Sequence, residues 1–208
     1  MTNDDELDAP SDAGPDPAIK KLLVENLALR EAVSEIILAW SSIEGELALI
    51  LRNVIGDGPG DVASAIYFAP ASSEVRIRIV DAAFTERIKP TPHGANIVDQ
   101  WARFLKILSR LKDTRNAVGH GSIVTIARYG KNHARLTAPI FDFRRISPAL
   151  ARRQLPGLSS NDIRQSVKRM GKAGEILTLF IQIVDPHVLN NEPILLEKLA
   201  QVIELLEK

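Results

Sequence analysis

The chain has 208 residues, of which 45% are apolar, 25% charged and 5% aromatic, a composition that suits one compact domain with a tail. Its 26 basic and 26 acidic side chains cancel, so no global field draws it to nucleic acid or to an anionic membrane. The absence of cysteine excludes a disulfide scaffold, thiolate zinc sites and a cysteine nucleophile, and fits a reducing cytosol.

Residues 1–17 carry six acids and no base (Asp4, Asp5, Glu6, Asp8, Asp12, Asp16). This order is opposite to a signal peptide's, and the apolar content is too low to fold, so a disordered acidic tail is expected. No apolar run approaches the ~18 residues of a membrane span. The expectation is therefore a cytoplasmic protein without membrane contact, folded as a single domain over 18–208.

From about Pro17 to Ile55 the stripe Val33, Ile36, Trp40, Ile43, Leu47, Ile50, Val54 alternates steps of three and four, which is one face of a long helix. Gly56-Asp57-Gly58-Pro59-Gly60 ends it. A short segment, Asp61 to Phe68, stops at Pro70. A helix with Ile77, Val80, Phe84 and Ile88 on its face follows, then the breaker loop 89–94. The next helix, about Asn96 to Val118, has the stripe Ile97, Trp101, Phe104, Leu108, Leu111, Arg115, Val118 and stops at Gly119 and Gly121.

Ser122 to Arg128 and Arg135 to Phe143 read as a hairpin around Tyr129-Gly130-Lys131-Asn132, an insertion over about 122–143. A basic loop, about 144–158, carries Arg144, Arg145, Arg152 and Arg153. A helix from about Ser160 to Val184 and a last one capped by Asn191, with Pro193 in its first turn, complete a mainly α bundle of about five helices with a β-hairpin insertion.

Charge is uneven along this order. Between Trp101 and Met170 there are fifteen bases and three acids, a local excess of +12. Such a stretch is either a polyanion-facing surface or a solvated face balanced by the acidic remainder.

Leu111 to Gly121 is where chemistry concentrates. Arg115 occupies a position on an apolar stripe where Leu or Ile is expected. A guanidinium keeps its charge there and needs a carboxylate, an anion or an opening to water. Asn116 and His120 are four apart and share a helix face. A histidine beside an arginine suits phosphodiester cleavage: the imidazole moves a proton and the guanidinium steadies charge on phosphorus oxygens, with neither metal nor cofactor.

Two further pairs fit similar spacing, Arg128 with His133 and Arg87 with His93. The first spans a hairpin turn and the second contains two prolines, so neither sits at a helix end. Glu44 shares heptad spacing with Ile37 and Leu51 beside the main stripe. It is either an ion-pair partner for Arg115, if the two long helices pack antiparallel, or an exposed carboxylate. Trp40 and Trp101 are expected in the core.

Arg115-Asn116-Ala117-Val118-Gly119-His120 resembles the Arg-x4-His signature of HEPN domains, in the form with Asn after Arg. The resemblance implies a helical, homodimeric bundle with Arg and His of both protomers in a shared cleft. It implies metal-independent endoribonuclease activity in a toxin–antitoxin or phage-defence setting, with RNA as substrate and an antitoxin or defence-system partner. His120 would be the acid or base, Arg115 would bind the phosphate and stabilise its transition state, and Asn116 would orient the imidazole or the phosphate. Arg144, Arg145, Arg152 and Arg153 are either contacts for the RNA backbone or solvated charges. Other openings remain: a noncatalytic HEPN-like module that binds nucleic acid, nucleotide or a protein, or an Arg–Asn–His cluster that only closes a helix end.

Overall fold

The computed structural model describes residues 16–56, 61–128, 130–137, 156–185 and 192–207. Among them the elements are α1 (Pro17–Ile55), α2 (Val62–Phe68), α3 (Ser73–Ile88), α4 (Gly94–Gly119), β1 (Ser122–Arg128), β2 (Lys131–Thr137), α5 (Ser160–Val184) and α6 (Glu192–Glu207). The fold is the expected mainly α bundle with a hairpin. Its helices number six among the described residues because the short segment before Pro70 is itself helical. The acidic segment 1–15, the basic stretch 138–155 and Asn191 lie outside the described residues.

α1 begins where the Asp16 carboxylate accepts the Ala18 N–H at 2.8 Å, with proline in the first turn, the arrangement that satisfies a free backbone donor at least cost. Its three-four stripe is buried from Leu29 to Leu51. α5 lies along that stripe, while α2, α3 and the hairpin take adjoining stretches. α5 opens with a capping box: Ser159 Oγ accepts the Asp162 N–H, and Asp162 Oδ2 accepts the Ser159 N–H at 2.8 Å.

Four aromatic rings fill the centre. Phe84 of α3 stacks on Trp101 of α4 at 4.5 Å, and Phe180 of α5 meets Trp101 edge-on at 4.9 Å. Phe104 closes the group, 5.8 Å from both Trp101 and Phe180. Edge-to-face and offset contacts of this kind add to the burial of large apolar surface. Trp101 Nε1 donates to Asp81 Oδ1 at 2.9 Å, so its one polar atom is satisfied. Trp40 and Trp101 are both core residues, as expected.

β1 and β2 pair antiparallel, Ser122 with Thr137 through Arg128 with Lys131. Gly130, at φ 71°, reverses the chain between them. The second strand thus starts at Lys131, four residues earlier than the expected Arg135, and Lys131 and Asn132 are strand residues. Of the hairpin expected over 122–143, the described part ends at Thr137. Ala134 and Leu136 face the core. Leu158 extends the edge through two backbone bonds with Leu136, at 2.9 and 2.8 Å. Gly157 permits this contact: a Cβ there would sit 2.5 Å from Leu136 O, and its φ is 83°.

Because Phe180 touches rings from two other helices, Phe180→Ala opens a cavity that three elements must share. Chemical denaturation should register a loss of about 3–5 kcal/mol.

Candidate functional site at the end of α4

The last turn of α4 carries Arg115, Asn116 and His120. Val118, next on the stripe after Arg115, is buried, so the helix keeps its inner face to the end. His120 is the C-terminal cap: its backbone N–H donates to Asn116 O at 3.0 Å, and the Gly121 N–H donates to Val118 O at 3.2 Å. The His120 side chain is exposed, and among the described residues no side-chain bond holds its imidazole.

Arg115 is half-buried. Its Nη1 donates to Asn116 Oδ1 at 3.2 Å. Its Nε is shut off from water and has no hydrogen-bond partner. Among the described residues no carboxylate pairs with it. The expected Arg115–Glu44 pair is not formed. Glu44 lies on a partly buried flank, 17% exposed, but that flank faces the first turn of α3. There Glu44 Oε1 accepts from Ser73 Oγ at 2.7 Å and from Arg76 Nη1 at 3.2 Å. Arg76 Nε donates to Pro70 O at 2.9 Å, which fixes the guanidinium against the turn after α2. Glu44 therefore supports the α1–α3 contact. Asp113 is exposed, as its position off the stripe implied.

Gly121 couples this turn to the sheet. A Cβ there would lie 3.0 Å from Leu136 Cγ and 3.0 Å from Thr137 O. Thr137 is the last described residue before the segment bearing Arg144, Arg145, Arg152 and Arg153. Pro156 and Gly157 follow that segment, with Gly157 packed on Leu136. Gly121 and Gly157 thus both pack on Leu136 and Thr137, while the four arginines lie outside the described residues.

A second constellation was not anticipated. His133 and Arg135 stand two apart on β2, on one face of the strand. With Glu25 and Ser160 they line a cavity of about 210 Å³ between α1, β2 and the start of α5. A carboxylate faces each of its two basic side chains, although Arg135 Nε has no hydrogen-bond partner. His133 Nδ1 lies 3.9 Å from Glu25 Oε1, and Arg135 Nη1 lies 3.9 Å from Asp162 Oδ2. Glu25 Oε2 also accepts the Ala134 N–H at 3.0 Å. The cluster fastens the hairpin to two helices. The alternation of His133 and Arg135 was visible in the sequence, but only a strand starting at Lys131 puts them on one face.

Between α1 and α5 a third polar feature appears. Burial pushes the Glu46 carboxyl up to about 7, and its Oε2 is water-excluded without a partner. Among the described residues no group of three or more His, Asp or Glu could hold a metal ion, and no helix is long and apolar enough to cross a membrane.

No protein-family model, curated protein or solved structure matches this chain.

Two outcomes follow from these contacts. Arg76→Ala strands a partly buried carboxylate and should lower the unfolding free energy by about 1.5–3 kcal/mol, whereas Arg115→Ala, which frees no carboxylate, should cost less in the same titration. Glu46 binds its proton more tightly folded than unfolded, so its contribution is fully favourable below about pH 4.5 and is lost as pH rises through about 7. The gain in melting temperature of Glu46→Gln over wild type should grow between acidic and mildly alkaline buffer. Allowing for solvent at the groove mouth, it should reach about 2–4 °C.

Proposed function

We propose that the end of α4 is the phosphate-binding and proton-transferring centre of a metal-independent endoribonuclease of HEPN type. The state of Arg115 carries this assignment. It is a half-buried guanidinium with one buried, unbonded N–H and no carboxylate partner among the described residues. A cation in that state is stabilised by an incoming anion, and the guanidinium fork matches two phosphate oxygens.

In the proposed reaction the ribose 2′-oxygen attacks the adjacent phosphorus and the bond from phosphorus to the 5′-oxygen breaks. The products are a 2′,3′-cyclic phosphate and a 5′-hydroxyl. His120 accepts the 2′ proton or delivers one to the departing 5′-oxygen. Arg115 stabilises the charge that builds on the non-bridging oxygens. Asn116, bonded to Arg115 Nη1, orients the guanidinium. Arg144, Arg145, Arg152 and Arg153 would contact the RNA backbone. In a homodimer, two copies of this turn form a shared cleft. A cytoplasmic toxin or phage-defence component with a cognate antitoxin or partner protein is the setting that the motif's resemblance suggests.

One observation favours a second role, a noncatalytic module that binds nucleic acid, nucleotide or a protein. His120 is exposed, and its imidazole is unsupported among the described residues. A single RNA cleavage experiment in EDTA separates the two. Wild type should cut RNA, leave cyclic-phosphate ends and spare DNA, which lacks the 2′-hydroxyl. Arg115→Ala and His120→Ala should each lose about 10²–10⁴-fold in rate. Folded wild-type protein that binds RNA but leaves it intact, or that cuts DNA equally well, would overturn the ribonuclease assignment.

A further inference from the structure

The groove between α1 and α5 is independent of the α4 end and has a chemistry of its own. It holds about 290 Å³ and is lined by Glu46, Glu175, Gly171, Gly174 and the apolar side chains of Ile43 and Met170, among others. Gly174 leaves the room: its missing Cβ would lie 3.4 Å from Glu46 Oε1 and 3.5 Å from Oε2.

The groove offers acceptors and no spare donors. Glu46 Oε2 is closed to water and accepts no bond. The two hydroxyls on the rim spend their protons on their own helices. Ser42 Oγ donates to Leu38 O at 3.3 Å, and Thr178 Oγ1 donates to Gly174 O at 3.1 Å. The other charged lining residue, Glu175, has the same sign as Glu46, and no base lines the groove. A buried carboxylate oxygen without a donor is costly, and the cost is relieved by a cation that brings N–H groups. The two carboxylates are too few ligands for a metal site, whereas Ile43 and Met170 suit methylene groups beside a charged head.

We propose that this groove is an organic-cation site, which receives a primary ammonium or guanidinium group on a short aliphatic stem, with Glu46 as counter-ion and Glu175 at the rim. The cation has two sources with one chemistry: a free small amine, or a Lys or Arg side chain of a second copy of this chain. Because burial keeps Glu46 protonated up to about neutral pH, binding releases a proton in acidic buffer and is tighter in alkaline buffer.

The test is calorimetry on the full chain at mildly alkaline pH, with butylammonium and butylguanidinium as probes and tetramethylammonium and potassium chloride as controls. The two probes should bind saturably and the controls should not. Glu46→Gln should weaken binding about tenfold or more by removing the charge. Gly171→Leu should do the same by filling the groove, and it should fold, since a Cβ at Gly171 meets nothing within 4 Å. Sedimentation at constant ionic strength separates the sources. A side chain from a second copy predicts self-association that Glu46→Gln and added butylguanidinium both weaken. A free amine predicts saturable binding with association unaffected by either. The proposal falls if neither probe binds and self-association ignores Glu46, or if binding persists in both variants.

Discussion

Most of the described elements are arranged along the buried face of α1. The helix has 39 residues, which makes it about 58 Å long, longer than any other element. From Leu29 to Leu51 its apolar stripe is withdrawn from water, and no single partner spans that distance. α5 covers the largest share, while α2, α3, α4 and the hairpin take adjoining stretches. The aromatic group of Phe84, Trp101, Phe104 and Phe180 then ties α3, α4 and α5 to one another, so the bundle closes as one hydrophobic cluster. The hairpin belongs to that cluster through Ala134 and Leu136, and its open base, Ser122 opposite Thr137, adjoins the last turn of α4.

The ion pairs follow from this packing and explain why Arg115 stands apart. Carboxylates at the helix junctions are already engaged. Glu44 holds Arg76, Glu74 holds Lys112, Glu207 holds Arg103, and Glu31 and Glu35 share Arg164. Arg135 has Asp162, and the His133 ring stands beside Glu25. Each pair fastens one element to another. Among the described residues Arg115 has an amide oxygen and no carboxylate; its Nε is unbonded, as is that of Arg135. A cation whose charge the fold leaves uncompensated favours an external anion, whereas a compensated one is structural. The same logic with opposite sign applies to Glu46, the carboxylate with a buried, unbonded oxygen between α1 and α5.

Much of the architecture was legible from local chemistry. The three-four stripes placed α1, α4 and α5, and Gly56 and Gly119 marked ends because chain reversal depends on a few neighbouring residues, whereas the caps at Asp16 and Ser159 emerged only in the structure. Arg115 was conspicuous for a similar reason: an arginine on an apolar stripe breaks a periodic pattern. The heptad position of Glu44 also predicted its partial burial.

What lies across a helix boundary was not legible. Heptad spacing said that Glu44 faces inward, but only the docking of α3 decided that Arg76 and Ser73, not Arg115, would meet it. The start of β2 was missed because turn-forming residues look alike in sequence, and register depends on what the strand packs against. The missing side chain of Gly174 shapes the groove around Glu46, which only the packing of α5 on α1 reveals. Sequence by itself determined the long helices and the anomalous arginine, since these arise from interactions over a few residues. Tertiary structure alone decided which charges are cancelled and which stay open, because that depends on groups far apart in the chain that packing brings within hydrogen-bond distance.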